Sequence, residues 1–486
     1  MKKIILLLSV ISQCLVNTSC NQVQSQTNNV SEKAFKIDSL LQLYNDYDGF
    51  NGSVLVSHEG ETVLKKGYGF ANMQWDIPND VNAKFQIGSI TKPFTAILIL
   101  QLVSENKLEL HEPISTYLPN FPKENGDRIT IHHLLTHSSG IVREGVNDKK
   151  QNRPEAMVNQ FAEMPLDFEP GERFSYSNSG YTLLGYIIET ITKESYEDVL
   201  NYKILKPLSM DNSGYYRNMP IIKNMSSGYY KGFGDYLNIE RSDESTAYAA
   251  GALYSTVEDL QKLTKALQTD ALLPKAYRSL LFKKHIEDPD YGGFYGYGFE
   301  ILEKPIGNSG DKILTYGHSG TIDGYCALLT IIPSSESSII FLNNTRRAYL
   351  NSMTAGITGI LNDTTYNFPR KPLAQFMSKK IDEVSLEEGI SFYKKNKDNS
   401  DYYINEVELI VEGYRYLQSG NAEYAAEVFK LSTEVFPDKE NPYDSYAEAL
   451  MTLGKNEEAI INYKKSLALN PNNYNAIKML KKLENL

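Results

Sequence analysis

The C-terminal part of the chain repeats itself at a fixed period of 34 positions, and this feature restricts the fold most strongly. A period of this length indicates stacked helical units, each of which buries its apolar face only against its neighbours. Agreement at five positions makes a generic helical tail the weaker interpretation. The matched pairs are Gly420 with Gly454, Ala425 with Ala459, Phe429 with Tyr463, Ser432 with Ser466, and Pro437 with Pro471.

The repeated pattern resembles the tetratricopeptide repeat, in which each unit is a pair of antiparallel helices. Two units are recognised, at about 407–440 and 441–474. Residues 385–397 resemble an incomplete preceding helix, and residues 473–486 resemble a capping helix. We therefore predict a helical repeat segment over 385–486. The resemblance implies a protein or peptide partner for its concave groove.

The first residues have the features of an export signal. Lys2 and Lys3 form a basic start, an apolar run follows over residues 4–11, and small and polar residues lead to Cys20. The apolar run is shorter than the roughly 20 residues that a membrane-spanning helix needs. We therefore predict a signal peptide over 1–20.

Residues 16–20 resemble a bacterial lipoprotein cleavage site, although Asn17 stands where an aliphatic residue is usual. We predict lipidation of Cys20, with ordinary signal cleavage as the alternative, and a linker over 21–34. The protein is then expected in the periplasm, or at the bacterial envelope as an anchored lipoprotein. Contact with a membrane is expected only through that lipid.

Composition and net charge limit the number of domains and the classes of binding partner that are expected. The chain has 486 residues, of which 41% are hydrophobic and 22% charged, so two or three domains with large cores are expected. The net charge of −11 argues against a nucleic-acid partner, since no basic face is evident. Cys326 is the one cysteine beyond the predicted signal, so no disulfide is expected within the folded body.

The middle of the chain predicts an α+β domain over 35–368, followed by a linker over 369–384. Hairpin spacing and two strongly apolar helices come first, and strands return near the end. We therefore expect an antiparallel sheet assembled from both ends of the domain and flanked by helices. The segments are a helix over 34–47, a hairpin over 53–64, helices over 94–102 and 181–191, and strands over 314–316, 326–332 and 338–342.

The segment that carries chemistry is Ser-x-x-Lys at Ser89 and Lys92, at the start of the first apolar helix. A spacing of three places both side chains on one helix face. A serine hydroxyl attacks a carbonyl only when a base removes its proton. A lysine can be that base when burial makes its neutral form accessible. The helix N-terminus adds backbone N–H groups that can stabilise an oxyanion.

Two further motifs follow in order: Tyr176-Ser177-Asn178, and then His318-Ser319-Gly320. With Ser89 and Lys92 they resemble the penicillin-recognising serine hydrolases, within the branch of class C β-lactamases, D-alanyl-D-alanine carboxypeptidases, D-aminopeptidases and related esterases. The resemblance covers about residues 35–350 and implies a β-lactamase/transpeptidase-like fold. Supporting stretches lie at residues 129–140, 170–172 and 250–255.

The resemblance implies a role for each motif residue. Ser89 would be the nucleophile and Lys92 its base, and Tyr176 would relay the proton to the leaving group. Asn178 would orient Lys92 or bind a substrate amide. The third motif, with His318, Ser319, Gly320 and Thr321, would bind substrate: His318 would hydrogen-bond Tyr176 or a substrate carboxylate, and the N–H groups of Ser89 and Thr321 would form the oxyanion hole.

Each motif also occurs elsewhere in the chain. The other matches are Ser391 to Lys394, Tyr236 to Asn238, and His58 to Gly60. They lack the order or the apolar setting of the three motifs above. His133 and His137 have the four-residue spacing of zinc ligands on a helix, and His132 is adjacent, but the glutamate of that zinc motif is absent. We therefore predict no metal and no cofactor.

The third motif limits the expected substrate, because His318 stands where most β-lactamases have lysine, and neutral histidine supplies little charge for a carboxylate. We predict an exported serine hydrolase of the carboxypeptidase, aminopeptidase or esterase type, acting on a small peptide or ester that could derive from peptidoglycan. A β-lactamase proper is one alternative. A catalytically idle receptor or scaffold that works through the repeats is another.

Overall fold

The computed structural model describes residues 30–145, 153–239, 244–346 and 348–483. Cys20, the predicted signal peptide and residues 21–29 lie outside the described residues. The chain divides into two compact units, one of residues up to 230 with 238–368, and one of residues 231–237 with 369–486.

The first unit contains the predicted helices and strands, together with several short elements between them. Its helices are α1 (residues 30–46), α2 (Thr91–Ser104), α3 (Lys123–Gly126), α4 (Ile131–Leu135), α5 (Pro154–Asn159), α6 (Asn178–Thr192), α7 (Tyr196–Leu200), α8 (Tyr248–Gly251), α9 (Val257–Ala266), α10 (Lys275–Leu281) and α11 (Leu350–Leu361). Its strands are β1 (Gly52–His58), β2 (Glu61–Tyr68), β3 (Phe70–Asn72), β4 (Ile77–Pro78), β5 (Phe85–Gln86), β6 (Gly214–Tyr215), β9 (Leu253–Ser255), β10 (Ile286–Asp288), β11 (Gly293–Tyr295), β12 (Glu300–Pro305), β13 (Lys312–Ile322), β14 (Tyr325–Ile332) and β15 (Ser337–Asn343). Two short strands, β7 (Tyr229–Lys231) and β8 (Tyr236–Asn238), include residues assigned to both units.

An eight-stranded antiparallel sheet forms the centre of this unit, in the order β10-β11-β12-β13-β14-β15-β1-β2. Strand β1 pairs with β15, and Val54 lies opposite Phe341. The sheet is therefore assembled from both ends of the domain, and the predicted α+β class is confirmed.

Each face of the sheet packs against helices, because its strands alternate between two apolar cores. Leu55 and Leu329 belong to the larger core, which includes the residues of α2 and α6. Val54 and Leu328 belong to the second core, with α1 and α11. This alternation at successive positions follows the two-residue period of a strand. The result is a sheet between two helical layers, with the predicted motifs on the side of the larger core.

Helix α1 begins within the predicted linker over 21–34. Lys33, in its first turn, donates a hydrogen bond of 2.6 Å from Nζ to the Leu361 carbonyl oxygen and pairs with Asp363 at 3.0 Å. These contacts attach the first turn to the C-terminus of α11, where free carbonyl groups favour a cation. The sequence pattern did not show this attachment because it depends on residues more than 300 positions away.

Helix α2 is apolar on every side, and all residues from Thr91 to Leu102 are buried. A helix without a polar face must lie inside a core rather than on a surface. Pro93 is tolerated because the first turn of a helix has no intrahelical partner for its missing N–H. Lys92 is thereby carried into the interior at the end of the helix that faces the third motif.

The second unit is helical, as predicted for residues 385–486. It contains α12 (Leu373–Glu383), α13 (Leu386–Asn396), α14 (Glu406–Gln418), α15 (Ala422–Val435), α16 (Glu440–Thr452), α17 (Asn456–Leu469), α18 (Tyr474–Leu483) and the short parallel pair β16 (Lys371–Pro372) and β17 (Tyr402–Tyr403). The assignment of these helices to the tetratricopeptide repeat stays a prediction. Within the part of the chain that the structure describes, no helix combines the length and apolar character that crossing a membrane requires.

Residues 369–384 differ from the predicted linker, because most of them form α12. Leu373, Met377 and Ile381 are spaced four apart and are buried in the core of the second unit. An amphipathic stripe of this spacing makes a stable helix only when another surface covers it. Its three apolar positions were too few to be recognised in a segment rich in charged residues.

A cluster of histidines in the first unit predicts acid lability. The rings of His111, His133 and His285 lie 5.2 to 5.9 Å from that of His132, between ring centres. Burial, and then the neighbouring histidines, lower the pKa of His132 from 6.5 to about 4. The unfolded chain therefore binds a proton between pH 6.5 and 4 that the folded chain rejects, so stability is lost as pH falls through this window.

We expect the urea unfolding free energy to fall by roughly 1–2 kcal/mol between pH 7.5 and 4.5 through His132 alone, after allowance for solvent screening of this partly exposed ring. A His132→Gln variant should lose much of this pH dependence. His58→Gln should lose less of it, because burial lowers the pKa of His58 by a smaller amount. Equal pH slopes for wild type and His132→Gln would contradict the assignment.

Candidate active site

Ser89 lies in a single 3₁₀ turn, Gly88–Ile90, that leads directly into α2. Gly88 has a φ of +50°, and a Cβ there would come within 2.9 Å of the Thr321 nitrogen. Glycine is therefore required both by backbone conformation and by the close approach of β13. Ser89 is partly exposed between buried neighbours, so its hydroxyl faces the open side of the site.

Lys92 has no exposed surface. Its Nζ lies 2.8 Å from the Ala250 carbonyl oxygen, 2.7 Å from Asn178 Oδ1 and 3.1 Å from Ser89 Oγ. Among the described residues, no carboxylate lies within ion-pair distance of it. A buried ammonium without a counter-charge is unfavourable, so this environment favours the neutral amine.

Burial is the main cause that lowers the pKa of Lys92 well below 10.5; the Glu144 carboxylate opposes the shift and the Arg143 guanidinium adds to it. A neutral amine has two N–H donors and one lone pair. The two carbonyl-type oxygens, of Ala250 and Asn178, can only accept and take both donors. In the neutral form of Lys92, the lone pair would face Ser89 Oγ, 3.1 Å away, and could accept the Ser89 hydroxyl proton.

Tyr176 lies over this pair, with Lys92 Nζ 4.7 Å from its ring centre. Burial raises the pKa of Tyr176 well above 10, although hydrogen bonding with Ser89 opposes the shift. The phenol therefore stays protonated at neutral pH and can act as an acid. The His137 ring lies 4.3 Å from the Tyr176 ring, and its Nδ1 accepts from the Ser177 N–H at 3.0 Å. His137 thus holds the second motif in place.

Asn178 begins α6, and Ser177 caps that helix by accepting from the Gly180 N–H at 3.0 Å. The side-chain amide of Asn178 joins two partners. Its oxygen accepts from Lys92, and its Nδ2 donates to Glu144 Oε1 at 2.6 Å. Glu144 therefore fixes which end of the amide faces Lys92.

The third motif lies in β13, but His318 is turned inward and is only 1% exposed. Its Nδ1 is 2.5 Å from the Ser319 carbonyl oxygen and 3.7 Å from Glu300 Oε1, both acceptors, so Nδ1 carries the proton. Its Nε2 then accepts from the Tyr295 hydroxyl at 2.9 Å. Burial lowers the pKa of His318, so the ring is neutral.

This placement differs from the predicted bond between His318 and Tyr176, because both ring nitrogens of His318 have other partners. Tyr295 occupies the hydrogen-bonding position instead. Ser319 also differs from the predicted substrate-binding role. Its N–H and its hydroxyl both donate to Glu300, at 3.2 and 2.9 Å, instead of to a substrate. Glu300 is buried, and it anchors the strand beneath the site.

Gly320 brings β13 against the backbone of Ser89. A Cβ on Gly320 would lie 2.0 Å from the Ile87 carbonyl oxygen and 3.3 Å from the Ser89 nitrogen. Thr321 follows at the exposed end of the strand. The backbone N–H groups of Ser89 and Thr321 thus come from adjoining segments, as an oxyanion hole needs.

A Gly320→Ala variant is expected to separate β13 from the Ser89 turn. We expect a loss of about 1–3 kcal/mol in the free energy of unfolding from overpacking, together with a lower kcat on p-nitrophenyl acetate. Gly180→Ala is the matched control, since a Cβ there meets no atom closer than 3.6 Å. A wild-type kcat in Gly320→Ala would show that this approach does not hold the oxyanion hole.

A cavity of about 210 Å³ opens beside Ser89. Its walls come from the Ser89 turn, the start of α6, the end of β13 and the segment before β9. Residues in its lining include Ser89, Glu144, Asn178, Thr182, Ala250 and Thr321. Of the predicted site residues, Ser89, Asn178 and Thr321 line this cavity, and Lys92 lies directly behind Ser89 and Asn178.

Four residues that contact the site were not predicted from the sequence. They are Arg143, Glu144 and Tyr295, and His137, which holds the second motif in place. His137 and Ala250 fall in stretches that matched the family, but no role was assigned to them. Arg143 and Glu144 follow the first of those stretches directly, and this adjacency was the only available signal. Tyr295 could not be recognised, because the chain has 34 tyrosines and no motif distinguishes this one from the others.

The competing motif matches lie elsewhere. Ser391 is exposed on α13 in the second unit, and Tyr236 to Asn238 form β8. His58 Nδ1 is 2.8 Å from the Ser337 hydroxyl at the far end of β1. His132 contacts the Tyr297 hydroxyl at 2.7 Å, and His133 caps α4. Among the described residues, no group of three or more side chains has the geometry of a metal site.

The fold and the Ser89–Lys92–Tyr176 site together define a serine hydrolase of the β-lactamase/transpeptidase architecture. The family described as Beta-lactamase matches residues 37–356, more than half of the chain. The protein belongs to the Beta-lactamase family.

Relatives and solved structures agree with this assignment. The chain is 29% identical over 345 residues to the putative penicillin-binding protein PbpX of Bacillus subtilis, covering 70% of this chain and 83% of that one. It resembles the octameric penicillin-binding protein homologue from Pyrococcus abyssi at 28% identity and a TM-score of 0.59, covering 72% and 81% of the two chains. A D-amino acid amidase from Ochrobactrum anthropi, at 23% identity and a TM-score of 0.59, covers 67% and 99% and shares the fold.

Proposed function

We propose that the protein hydrolyses a small amide or ester, of the kind cleaved by D-alanyl carboxypeptidases, D-aminopeptidases or related esterases, through an acyl-enzyme at Ser89. One observation carries the proposal. Lys92 is fully buried, is held by two carbonyl-type oxygens, and has its remaining position directed at Ser89 Oγ, 3.1 Å away. This geometry suits a neutral lysine that removes the serine proton.

In the first half-reaction, Ser89 Oγ bonds to the substrate carbonyl carbon while its proton passes to Lys92. The carbonyl π electrons move onto oxygen, which the N–H groups of Ser89 and Thr321 stabilise. When the bond to the leaving group breaks, that group takes the Tyr176 hydroxyl proton, and Tyr176 regains a proton from Lys92. Water then attacks the acyl-enzyme by the same proton path, releasing the acid and restoring Ser89.

A peptidase or esterase is favoured over a β-lactamase. In the family, the residue at the position of His318 is usually a lysine that supplies a positive charge for the drug's carboxylate. Here His318 is buried, neutral and bonded to Tyr295. An idle receptor is disfavoured because Ser89, Lys92 and Tyr176 are all present and in contact. Export, with lipidation at Cys20, and a protein partner for the helices of the second unit complete the proposal.

The test compares p-nitrophenyl acetate, N-acetyl-D-alanyl-D-alanine and benzylpenicillin as substrates, with Ser89→Ala as the control. Turnover of the ester or the peptide that Ser89→Ala loses supports the proposal. Rapid benzylpenicillin hydrolysis without peptide or ester turnover would assign a β-lactamase instead. No Ser89-dependent turnover on any of the three, and no covalent adduct by intact mass, would favour the idle scaffold.

A further inference from the structure

Of the described residues that line the cavity beside Ser89, one has a charged side chain, and that residue is Glu144. The other lining residues described by the structure are neutral, and Lys92 lies behind the wall with no exposed surface. A ligand that enters this cavity therefore meets a negative charge. Charge of one sign in a small concave site selects ligands of the opposite sign.

A hydrogen bond fixes the position of the Glu144 carboxylate. Its Oε1 accepts from Asn178 Nδ2 at 2.6 Å, and Asn178 in turn contacts Lys92. The second carboxylate oxygen, Oε2, has no hydrogen-bond partner among the described residues. The Glu144 side chain is 60% exposed, so solvent and ligands can reach that oxygen. The carboxylate is thus held two hydrogen bonds away from the amine that activates Ser89.

Among the described residues, no comparable cation lines the cavity. His318 is buried and bonded to Tyr295, so it cannot bind a substrate carboxylate without moving. Arg143 lies outside the lining, with its guanidinium carbon 5.3 Å from the Tyr176 ring centre. Its Nε is 3.8 Å from Glu144 Oε1, at the limit of an ion pair between two exposed groups, which contributes little.

We propose that Glu144 binds a protonated amino group next to the scissile carbonyl. The substrate class is then amino-acid amides and esters, and short peptides with a free amino terminus, rather than N-acylated or carboxylate-bearing analogues. The cavity of about 210 Å³ is smaller than the roughly 300 Å³ or more of sites for drug-sized ligands, and it suits a single residue. This inference rests on the proposed acyl-enzyme at Ser89 and specifies its substrate.

The test uses two probes that differ only at the amine: D-alanine p-nitroanilide and N-acetyl-D-alanine p-nitroanilide, with the L pair run in parallel. Assays at pH 7 keep the amine protonated, since its pKa is about 8. The measured quantity is the ratio of kcat/KM for the free amine to kcat/KM for the acetylated probe. Any general effect transmitted through Asn178 and Lys92 cancels in this ratio.

Wild type is expected to prefer the free amine. Glu144→Gln keeps an oxygen for Asn178 but loses the charge, and it should lower the ratio by about 10- to 100-fold, the range for a hydrogen bond to a charged group. Glu124→Gln, an exposed carboxylate on α3, is the matched control and should leave the ratio unchanged. A wild type that prefers the acetylated probe, or an unchanged ratio in Glu144→Gln, would overturn the proposal.

Two further measurements separate the possible failures. p-Nitrophenyl acetate has no amine, so its Ser89-dependent turnover reports the acyl-enzyme alone. If wild type turns over this ester while Glu144→Gln has the wild-type ratio, only the role of Glu144 is rejected. If wild type has no Ser89-dependent turnover of the ester, both proposals are rejected. If Arg143→Gln lowers kcat/KM selectively on N-acetyl-D-alanyl-D-alanine, the entrance of the cavity beside Ser89 recognises a carboxylate. That result would also overturn the inference.

Discussion

Replacing Lys92 with methionine is expected to lower kcat/KM on p-nitrophenyl acetate by up to about 10,000-fold, the upper end of what a positioned general base contributes. Methionine fills much of the same buried volume but cannot take a proton. The lone pair that faces Ser89 is lost, while Ser89 itself stays in place on its turn. The variant should fold, because burying a lysine without a counter-charge costs stability that an apolar side chain does not.

The same residue sets the pH dependence of the wild type. Because burial lowers the pKa of Lys92 well below 10.5, the neutral base is present above that lowered pKa and is lost as pH falls through it. Activity should therefore rise with pH along a limb below 10.5, and this limb should be absent from the residual activity of Lys92→Met. Thermal unfolding of both proteins is the control for folding. A Lys92→Met enzyme within tenfold of wild type, a limit far below a general base's contribution, would contradict the role of Lys92.

Replacing Tyr176 with phenylalanine should separate amides from activated esters. The raised pKa of Tyr176 keeps its hydroxyl protonated, so we assign it as the acid that protonates the leaving group. An amine leaves poorly without a proton, whereas p-nitrophenolate leaves without one. We expect about a 1,000-fold loss on an amide substrate and less than about a tenfold loss on p-nitrophenyl acetate.

The measurement is kcat/KM of wild type and Tyr176→Phe on one amide and one ester with the same acyl group. Tyr181→Phe is a useful comparison, because Tyr181 is a neighbouring buried tyrosine whose hydroxyl donates to the Leu135 carbonyl oxygen at 3.0 Å. Equal losses on amide and ester in Tyr176→Phe would show that the hydroxyl positions Lys92 rather than protonating the leaving group.

The motifs could be predicted from sequence because the chemistry demands particular residue types at short spacings. Ser89 and Lys92 lie one helical turn apart, and Tyr176 and Asn178 flank the cap of α6. The strand that carries His318 was predicted only over residues 314–316, whereas it extends over Lys312–Ile322. Each of these signals is local, so the order of the three motifs was enough to indicate the fold that joins them.

What sequence analysis could not supply depends on contacts between distant segments. Glu144 reaches Asn178 across 34 residues of chain, and Tyr295 reaches His318 across 23. Neither pairing leaves a periodic pattern. The same limit applies to α12, whose short apolar stripe becomes a helix only because the core of the second unit covers it. Local pattern therefore predicted the nucleophile and its base, and tertiary packing decided which side chains surround them.

The central claim is that Ser89 becomes acylated, and intact-protein mass after acid quench tests it most directly. Wild type mixed briefly with excess p-nitrophenyl acetate should gain the mass of one acetyl group, and peptide mapping should place that group on Ser89 within residues 85–95. Ser89→Ala should gain none under the same conditions. Turnover by wild type with no acetyl group on Ser89, or with the group on another residue that Ser89→Ala retains, would contradict the account.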